Sequence, residues 1–287
     1  MALRILEAEA LCFAYGKQKW AIDHVNLALQ EGDRLALLGA NGAGKSTFLH
    51  LLIGLHSPCS GTLRLGGSPV SADANGRRLL RRSVGLVLQD PDDQLFADSV
   101  EADVIFGPLN SGLDRDAAEA AGRSAIETMR ISHLATRRIS SLSLGEKKRV
   151  ALAGVLAMSP RVLLLDEPTA GLDHRGAEAL LAALEERSAE GIAIILATHD
   201  SDLALRWATR AMVLEEGRVI AEGAPADVLQ DDSLCLRTGI RQPALLEVSR
   251  RLCHRLSLDP GSCLPTSPAE LAGWLTTAVS VREGAPL

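Results

Sequence analysis

Apolar residues follow two different arrangements along this chain. Near the start they form short runs separated by Gly and Ser, which is typical of β-strands, at residues 11–15, 34–39 and 62–65. Later they form near-continuous apolar runs with helical segments between them, at residues 84–88, 162–166 and 192–198. Continuous apolar strands are buried on both faces, so the second arrangement predicts a parallel sheet covered by helices. We therefore expect an α/β protein.

The last third of the chain predicts a β-hairpin and then helices. Residues 211–215 and 219–222 form the hairpin pattern, with a turn at an intervening Glu-Gly pair. Loop-rich sequence follows. Two short amphipathic helices are then predicted, at residues 245–256 and 268–277. The sequence therefore ends in a small helical appendage whose role its composition does not indicate.

The chain length fits one large domain and a small one. With 287 residues, 47% of them hydrophobic, the sequence can form a full α/β core and a modest extension. We place the large domain at residues 1–230 and the α-helical C-terminal extension at residues 231–287. No internal repeat indicates a second large domain.

The composition argues against several kinds of function. A formal charge of −6 and an aromatic content of 3% are opposite to the basic, ring-rich surface typical of nucleic-acid binding. The five cysteines are odd in number and include no C-x-x-C pair, which argues against a zinc site and a disulfide framework. Glu7 and Glu9 interrupt the first apolar stretch, unlike a secretion signal. The apolar runs fall short of the roughly 20 residues that span a membrane, so work at a membrane would require other subunits.

A glycine-rich segment follows the predicted strand at residues 34–38 and precedes a predicted helix at residues 48–55. Its residues are Gly39, Ala40, Asn41, Gly42, Ala43, Gly44, Lys45, Ser46 and Thr47. In this context glycines let backbone N–H groups converge on phosphate oxygens, and the helix N-terminus adds the positive end of its dipole. Lys45 is expected to reach the β- and γ-phosphates of a nucleoside triphosphate, and Ser46 to ligate Mg²⁺. The alternative is an ordinary glycine-rich turn, which the flanking elements disfavour.

Two adjacent carboxylates, Asp166 and Glu167, end the apolar run at residues 162–166. Consecutive strand positions face opposite ways, so the sequence predicts different roles for the two side chains. Asp166 is suited to hold Mg²⁺ through water, and Glu167 to act as the general base for an attacking water. A solvated pair of carboxylates at a strand end is the alternative.

A Leu-Ser-Leu-Gly-Glu pentapeptide ending at Glu146 resembles the signature of the ATP-binding cassette family. Ser143 is expected to cap a helix over residues 147–158, so that its hydroxyl, the Gly145 N–H and the helix dipole face an anion. The resemblance implies that Ser143, Gly145 and Glu146 bind nucleotide. Leu144 stands where many members have Gly, which affects backbone freedom near the phosphate, and Glu146 replaces the commoner Gln.

Further residues match this family, in family order, over residues 3–230. Tyr15 is similar to the aromatic residue that stacks on adenine, and Gln89 to the glutamine that contacts Mg²⁺ and water and signals to a transmembrane partner. His199 resembles the histidine that contacts the γ-phosphate. The Ala-Gly-Leu-Asp loop ending at Asp173 resembles the loop that crosses the dimer interface. A core tyrosine, a polar strand end and a buried structural histidine are the alternatives for the first three.

The resemblance implies a fold, an assembly and a reaction. The implied fold is a P-loop core with an antiparallel β subdomain and a helical subdomain over about residues 98–141. In the family, the signature of one copy completes the ATP site of another, so a homodimer enclosing two ATP molecules is implied. ATP and Mg²⁺ are the implied cofactors. The implied reaction is ATP hydrolysis, with Glu167, His199 and Gln89 as catalytic residues and Ser46, Gln89 and Asp166 around Mg²⁺.

Residues 90–110 narrow the resemblance. The segments Asp-Pro-Asp-Asp-Gln-Leu-Phe at residues 90–96 and Phe-Gly-Pro-Leu-Asn at residues 106–110 resemble the energy-coupling-factor importers, and the second is similar to their cobalt and nickel ATPase subunits. This implies two membrane partners, a coupling subunit and a substrate-specific subunit, that hold the chain at the cytoplasmic face of the membrane. We expect cobalt import first and nickel import second.

Two other functions remain as alternatives. One is an importer ATPase of the same branch that serves vitamins. The other is a soluble, non-transport cassette protein acting in DNA repair or on the ribosome. Such proteins usually carry a long coiled-coil insertion or two cassettes in tandem, and this sequence shows neither.

Charged clusters and histidines complete the expectations. Acidic side chains in the 90–103 stretch are hypothesised to receive a basic coupling helix of the membrane subunit. They are Asp90, Asp92, Asp93, Glu101 and Asp103. A solvated acidic loop is the alternative, and the arginines between residues 77 and 82 are expected to form a solvated helix face. The seven histidines are scattered without ligand spacing, so no direct cobalt or nickel binding by this chain is expected.

Overall fold

Two β-sheets and the helices around them form the fold. It is a computed structural model that describes residues 4–16, 19–256, 265, 267, 269–274 and 276. The strands are β1 Arg4–Phe13, β2 Ile22–Gln30, β3 Arg34–Leu38, β4 Ser60–Leu65, β5 Ser68–Pro69, β6 Val84–Val87, β7 Val162–Asp166, β8 Ala193–Thr198, β9 Arg210–Glu215 and β10 Arg218–Gly223.

Helices cover both faces of the larger sheet. They are α1 Lys45–Leu52, α2 Ala74–Ser83, α3 Val100–Asn110, α4 Arg115–Thr128, α5 Leu144–Leu156, α6 His174–Ala189, α7 Ser201–Trp207, α8 Pro225–Leu229, α9 Asp232–Thr238 and α10 Ala244–Leu256. Single 3₁₀ turns occur at Pro91–Asp93, Ser132–Leu134 and Ile139–Ser141.

The larger sheet is mainly parallel. Its strand order is β10-β9-β3-β8-β7-β6, and of these six strands β10 alone runs antiparallel to its neighbour. Parallel strands have their carboxyl ends on the same side of a sheet, so the loops after β3, β6, β7 and β8 lie side by side. Those loops carry the glycine-rich segment, Gln89, Glu167 and His199. The predicted parallel sheet and the α/β class are confirmed.

The smaller sheet is antiparallel, in the order β2-β1-β4-β5. The strand predicted at residues 11–15 has the wrong bounds, because β1 spans Arg4–Phe13. The apolar pattern also fails to predict β2. Both strands are bulged, with a shifted pairing register and positive φ angles of 46° at Ala10 and 54° at His24. A bulge breaks the alternation of inward and outward side chains, and that alternation is the signal by which a strand is predicted.

Side chains of the larger sheet pack into two hydrophobic cores, one on each face of the sheet. Leu164 of β7 packs with Phe48 of α1 in the core between the two sheets. Its neighbour Leu163 packs with Val104 of α3 and Trp207 of α7 in the core that α3 to α7 share. This alternation on a strand buried on both faces explains why β7 reads as a continuous apolar run.

Two helices start earlier than the sequence predicts. The helix expected at residues 48–55 begins at Lys45, directly after Gly44, which has a φ of 106°. The helix expected at residues 147–158 begins at Leu144, because Ser143 caps it. The polar first turns of both helices escape an apolar-periodicity search. Lys45 and Ser143, two of the predicted site residues, therefore lie at helix N-termini.

Described residues of α10 and of the segment before it pack on the larger sheet, on the face turned away from the smaller sheet. Ile240 and Leu246 share a buried cluster with Leu38 of β3 and Val213 of β9. The helix predicted at residues 245–256 is confirmed as α10. The one predicted at residues 268–277 lies partly outside the described residues. In the described part of the chain, no helix has the length and apolarity that crossing a bilayer requires.

Candidate functional site

The glycine-rich loop between β3 and α1 has a backbone that only glycine permits at two positions. A Cβ on Gly39, whose φ is 153°, would lie 2.5 Å from the carbonyl oxygen of Leu214. A Cβ on Gly44, whose φ is 106°, would lie 2.6 Å from the carbonyl oxygen of Ala21. A side chain at either position would therefore block this backbone path, and glycines of this kind are what let backbone N–H groups approach phosphate oxygens.

Lys45 lies at the floor of this loop with 7% of its surface exposed. Its Nζ donates to the carbonyl oxygens of Gly39 at 2.6 Å and Ala40 at 3.2 Å. Burial lowers the pKa of the Lys45 ammonium, and the carboxylates of Glu167 and Asp166 act in the opposite direction. A buried cation at the N-terminus of a helix is the electrostatic environment that favours a bound anion.

An open cavity of about 480 Å³ lies over the loop. The structure brings ten of the predicted site residues to its walls: Tyr15, Asn41, Gly42, Gly44, Lys45, Ser46, Thr47, Gln89, Asp166 and Glu167. Gly39 and Ala43 belong to the same loop but do not line the cavity. The Ser46 hydroxyl, the Gln89 amide and the Asp166 carboxylate are hard oxygen donors, so the residues present fit Mg²⁺ beside a triphosphate.

Asp166 and Glu167 do not face opposite ways, and the expectation based on strand alternation is wrong here. β7 ends at Asp166, and Glu167 adopts a φ of 45°, which is not a strand conformation. Its N–H still donates to the carbonyl oxygen of Ala197 at 2.9 Å. The turn directs both carboxylates into the same cavity.

Two side chains hold the Glu167 carboxylate. The Nδ1 of His199 lies 2.7 Å from Oε1, and the Oγ1 of Thr198 donates to Oε2 at 3.2 Å. His199 itself is 69% exposed at its side chain and does not line the cavity. The structure therefore places the predicted phosphate-contacting histidine against the predicted base. A carboxylate with two fixed partners is oriented for proton transfer.

Aromatic side chains form the outer wall of the cavity. Tyr15 packs edge-on against Phe13, with ring centroids 4.9 Å apart, and its hydroxyl lies 3.1 Å from Thr47 Oγ1. Sequence reasoning missed Trp20, which also lines the cavity, together with the ion pair of Lys19 and Glu216 at 2.6 Å. A tryptophan in an otherwise polar stretch is the signal that could have identified this wall.

The predicted signature residues lie apart from this cavity. Ser143 caps α5 and forms a reciprocal capping box with Glu146, whose carboxylate accepts the Ser143 N–H at 2.7 Å. These hydrogen bonds, the backbone one first, lower the pKa of Glu146. Ser143, Gly145 and Glu146 line a second cavity of about 510 Å³ together with Asp173, the N-cap of α6. One chain therefore presents two separate surfaces.

Leu144 occupies an ordinary helical position. It is the first residue of α5, and its φ is not positive, so glycine is not required there. Its side chain packs on Gly171, where an added Cβ would lie 2.7 Å from Leu144 Cδ2. The departure from the family's usual glycine therefore does not alter the backbone at the helix N-terminus.

Comparisons with known proteins agree with this geometry. Residues 22–170 match the model of the ABC transporter family. The cobalt import ATP-binding protein CbiO of Rhodobacter capsulatus is 45% identical over 274 residues, which cover 94% of this chain and 98% of that protein. The energy-coupling factor transporter ATP-binding protein EcfA2 of Methanospirillum hungatei is 42% identical over 90% of this chain, which spans 65% of that longer protein. The solved structure of cbiO1 from Clostridium perfringens, part of the ABC transporter complex cbiONQ, is similar at a TM-score of 0.75. It is 39% identical, and the match covers 86% of this chain and 99% of that one.

Proposed function

This chain belongs to the ABC transporter family, as one of its ATP-hydrolysing, energy-coupling-factor type subunits, and we propose that it powers import of cobalt or nickel through separate membrane subunits. Similarity to a protein named for cobalt import, extending over 94% of this chain, carries the proposal. Cobalt is the first candidate for that reason, and nickel, a divalent ion of similar ligand preference, is the second.

The first cavity is proposed to hold MgATP. Tyr15 would lie against adenine, the glycine-rich loop against the phosphates, and Lys45 would offset their charge. Ser46, Gln89 and Asp166 would hold Mg²⁺, which when bound neutralises charge on the phosphate oxygens. The cavity walls support this assignment because oxygen donors and a buried cation share one space.

Glu167 is proposed as the general base. Its carboxylate lines the cavity and would accept a proton from the attacking water. Thr198 and His199 hold the two carboxylate oxygens, so they would keep the base in one orientation while it acts. Gln89 lies on the wall of the same cavity and would contact the water and Mg²⁺.

A second copy of the chain is proposed to complete each ATP site. Ser143 and Gly145 stand at the N-terminus of α5, where the helix dipole and backbone N–H groups favour an anion. The cavity that they line lies outside the nucleotide cavity of their own chain. A two-fold dimer would bring the signature of each copy over the nucleotide of the other.

A third cavity, of about 490 Å³, is the proposed docking groove for the membrane coupling subunit. Phe96 lies on its wall, 64% exposed, and packs edge-on against Phe106 with ring centroids 4.5 Å apart. An exposed aromatic pair beside a groove is the usual anchor for a partner helix. The proposed membrane contact would hold the chain at the cytoplasmic face.

The acidic residues contribute less to this groove than their number suggests. Asp103 is buried and accepts the N–H groups of Phe96 and Ala97, each at 2.9 Å. Asp92 pairs with Lys147 at 2.6 Å. Asp103 thus shapes the loop that presents Phe96. Of the five predicted acidic residues Asp92 lines the groove, beside Asp98, so a basic partner helix would meet these two carboxylates there.

Metal accumulation in cells tests the cargo. Cells that make this chain with its membrane partners are expected to accumulate cobalt, or else nickel, and a Glu167→Gln chain is expected to abolish the accumulation. Accumulation of neither metal, with ATP hydrolysis intact, would contradict the metal assignment and favour a vitamin as cargo.

Membrane recruitment tests the groove. Phe96→Ala is expected to reduce the fraction of the chain that sediments with membranes containing the coupling subunit, while basal hydrolysis stays unchanged. Leu236→Ala, which removes an exposed leucine of α9, is the matched control. Equal recruitment of the two variants and the unmodified chain would remove this docking site.

A further inference from the structure

Lys148 is a buried lysine that the roles assigned above do not use. It lies on α5, five positions after the capping Ser143, and only 4% of its surface is exposed. Its Nζ donates to three backbone carbonyl oxygens, those of Glu167 at 3.2 Å, Pro168 at 3.0 Å and Ala170 at 2.7 Å. An ammonium group has three N–H donors, so these contacts can satisfy all of them.

The three carbonyls belong to the turn that directs Glu167 into the nucleotide cavity. Glu167 has a φ of 45°, a conformation that costs a non-glycine residue free energy unless its surroundings enforce it. Lys148 contacts the peptide of Glu167 itself and two peptides after it. The ammonium therefore clamps the backbone on one side of the turn, and the bond from the Glu167 N–H to Ala197 holds the other.

Burial also makes the clamp dependent on its partners. Desolvation lowers the pKa of the Lys148 ammonium, while the carboxylates of Glu167 and Asp90 act in the opposite direction. A buried cation is tolerated only where dipoles and charges compensate it. Removing the ammonium would leave the carbonyls of the turn without this donor.

We propose that Lys148 is a positioning residue for Glu167, which ties the N-terminal part of α5 to the turn that carries the general base. The inference rests on the proposed role of Glu167. In the proposed dimer, α5 also presents Ser143 to the nucleotide of the partner copy. Lys148 would therefore connect the nucleotide contact of one site to the base of the other, within a single helix.

A substitution that removes the ammonium tests this role. Lys148→Met keeps the length and apolar stem of the side chain, and it is expected to lower kcat for ATP hydrolysis roughly ten- to a hundredfold, as small misplacements of reacting groups do. Lys148 does not line the nucleotide cavity, and although it lines the second cavity its Nζ is already bonded to three backbone carbonyl oxygens, so KM for MgATP is expected to change little. Lys148→Gln, which retains an N–H₂ donor, is expected to recover part of kcat. Arg115→Met, an equal loss of charge on the exposed face of α4, is the control.

A double-variant comparison separates positioning from general damage. If Lys148 acts through Glu167, adding Lys148→Met to a Glu167→Gln chain should lower the residual single-turnover rate no further, since residues acting as a unit are not additive. The proposal would be overturned if the rate losses of Lys148→Met and Glu167→Gln multiplied in the double variant. A rise in KM for Lys148→Met as large as its fall in kcat would overturn it too. ATP binding by each variant shows that its fold persists. The comparison of single-turnover rates between single and double variants remains usable for a destabilised chain.

The same measurements distinguish this inference from the proposed function. A Glu167→Gln chain that hydrolyses ATP at the unmodified rate would contradict the assignment of Glu167 as base. A Glu167→Gln chain that is inactive beside a fully active Lys148→Met chain would contradict only the role of Lys148.

Discussion

Glu167 adopts a backbone conformation that residues other than glycine rarely adopt. It does so where β7, β8 and α5 meet. β7 ends at Asp166, as the apolar run predicts, and Glu167, the next residue, has a φ of 45°. Such conformations cost of order 1–3 kcal/mol and persist where neighbours enforce them, as the contacts to Ala197 and Lys148 do here. The result is a carboxylate aimed at the phosphate loop beside Asp166.

Replacing the Glu167 carboxylate is predicted to slow ATP hydrolysis. Glu167→Gln keeps the size of the side chain and removes its basicity, so ATP hydrolysis is expected to slow roughly a hundred- to ten-thousand-fold. Glu31→Gln, an exposed acid paired with Arg161, is the matched control. Steady-state phosphate release measures both variants. An unmodified rate for Glu167→Gln would assign the base elsewhere.

The histidines give a second prediction. The structure places the Cys12 thiol, the Asp23 carboxylate and the His24 ring so that one ligand atom of each lies within 4.8 Å of the others. Sequence spacing does not reveal this group, because bulged strands bring it together. Arg218 already pairs with Asp23, and His24 Nδ1 faces the same carboxylate. We therefore still predict no stoichiometric cobalt or nickel binding by the isolated chain. Equilibrium dialysis checks this, and binding that Cys12→Ser abolishes would contradict it.

Helix α5 shows at the scale of an element what sequence reasoning provides and what it lacks. The Ser143 cap and the glutamate three residues later predict its start chemically, and the capping box is present. Apolar periodicity places the start three residues late, because the first turn is polar. The contacts of Lys148 depend on where α5 meets the turn after β7. Nothing in the sequence distinguishes Lys148 from its neighbour Lys147, which is only partly buried and pairs with Asp92.

Leu144 gives the prediction at this scale. Because its φ is ordinary for a helix, Leu144→Gly is expected to leave ATP hydrolysis intact and to lower the free energy of unfolding by roughly 0.5–1 kcal/mol through added backbone freedom. Urea denaturation and a hydrolysis assay measure the two effects. Loss of hydrolysis, with the fold intact, would show that the leucine side chain on Gly171 has a direct role.

The whole molecule presents two incomplete halves of one site. Residues that follow the carboxyl ends of parallel strands meet at one end of the sheet, and that part of the site follows from the parallel sheet that the apolar pattern predicts. The separation of Ser143 from Lys45 does not follow from any pattern, since both carry anion-binding signals in the sequence. Trp20 likewise reaches the cavity through bulged strands that the pattern misses.

Complementation between two inactive variants tests the account most directly. Lys45→Ala damages the nucleotide cavity, and Ser143→Arg fills the signature surface, so each homodimer is expected to be inactive. An equal mixture is expected to recover about a quarter of the unmodified rate, because half of its dimers are mixed and each of those holds one intact site. Recovery of hydrolysis on mixing would support an ATP site built from two copies. No recovery in mixtures whose subunits exchange, or full activity of Ser143→Arg alone, would contradict it.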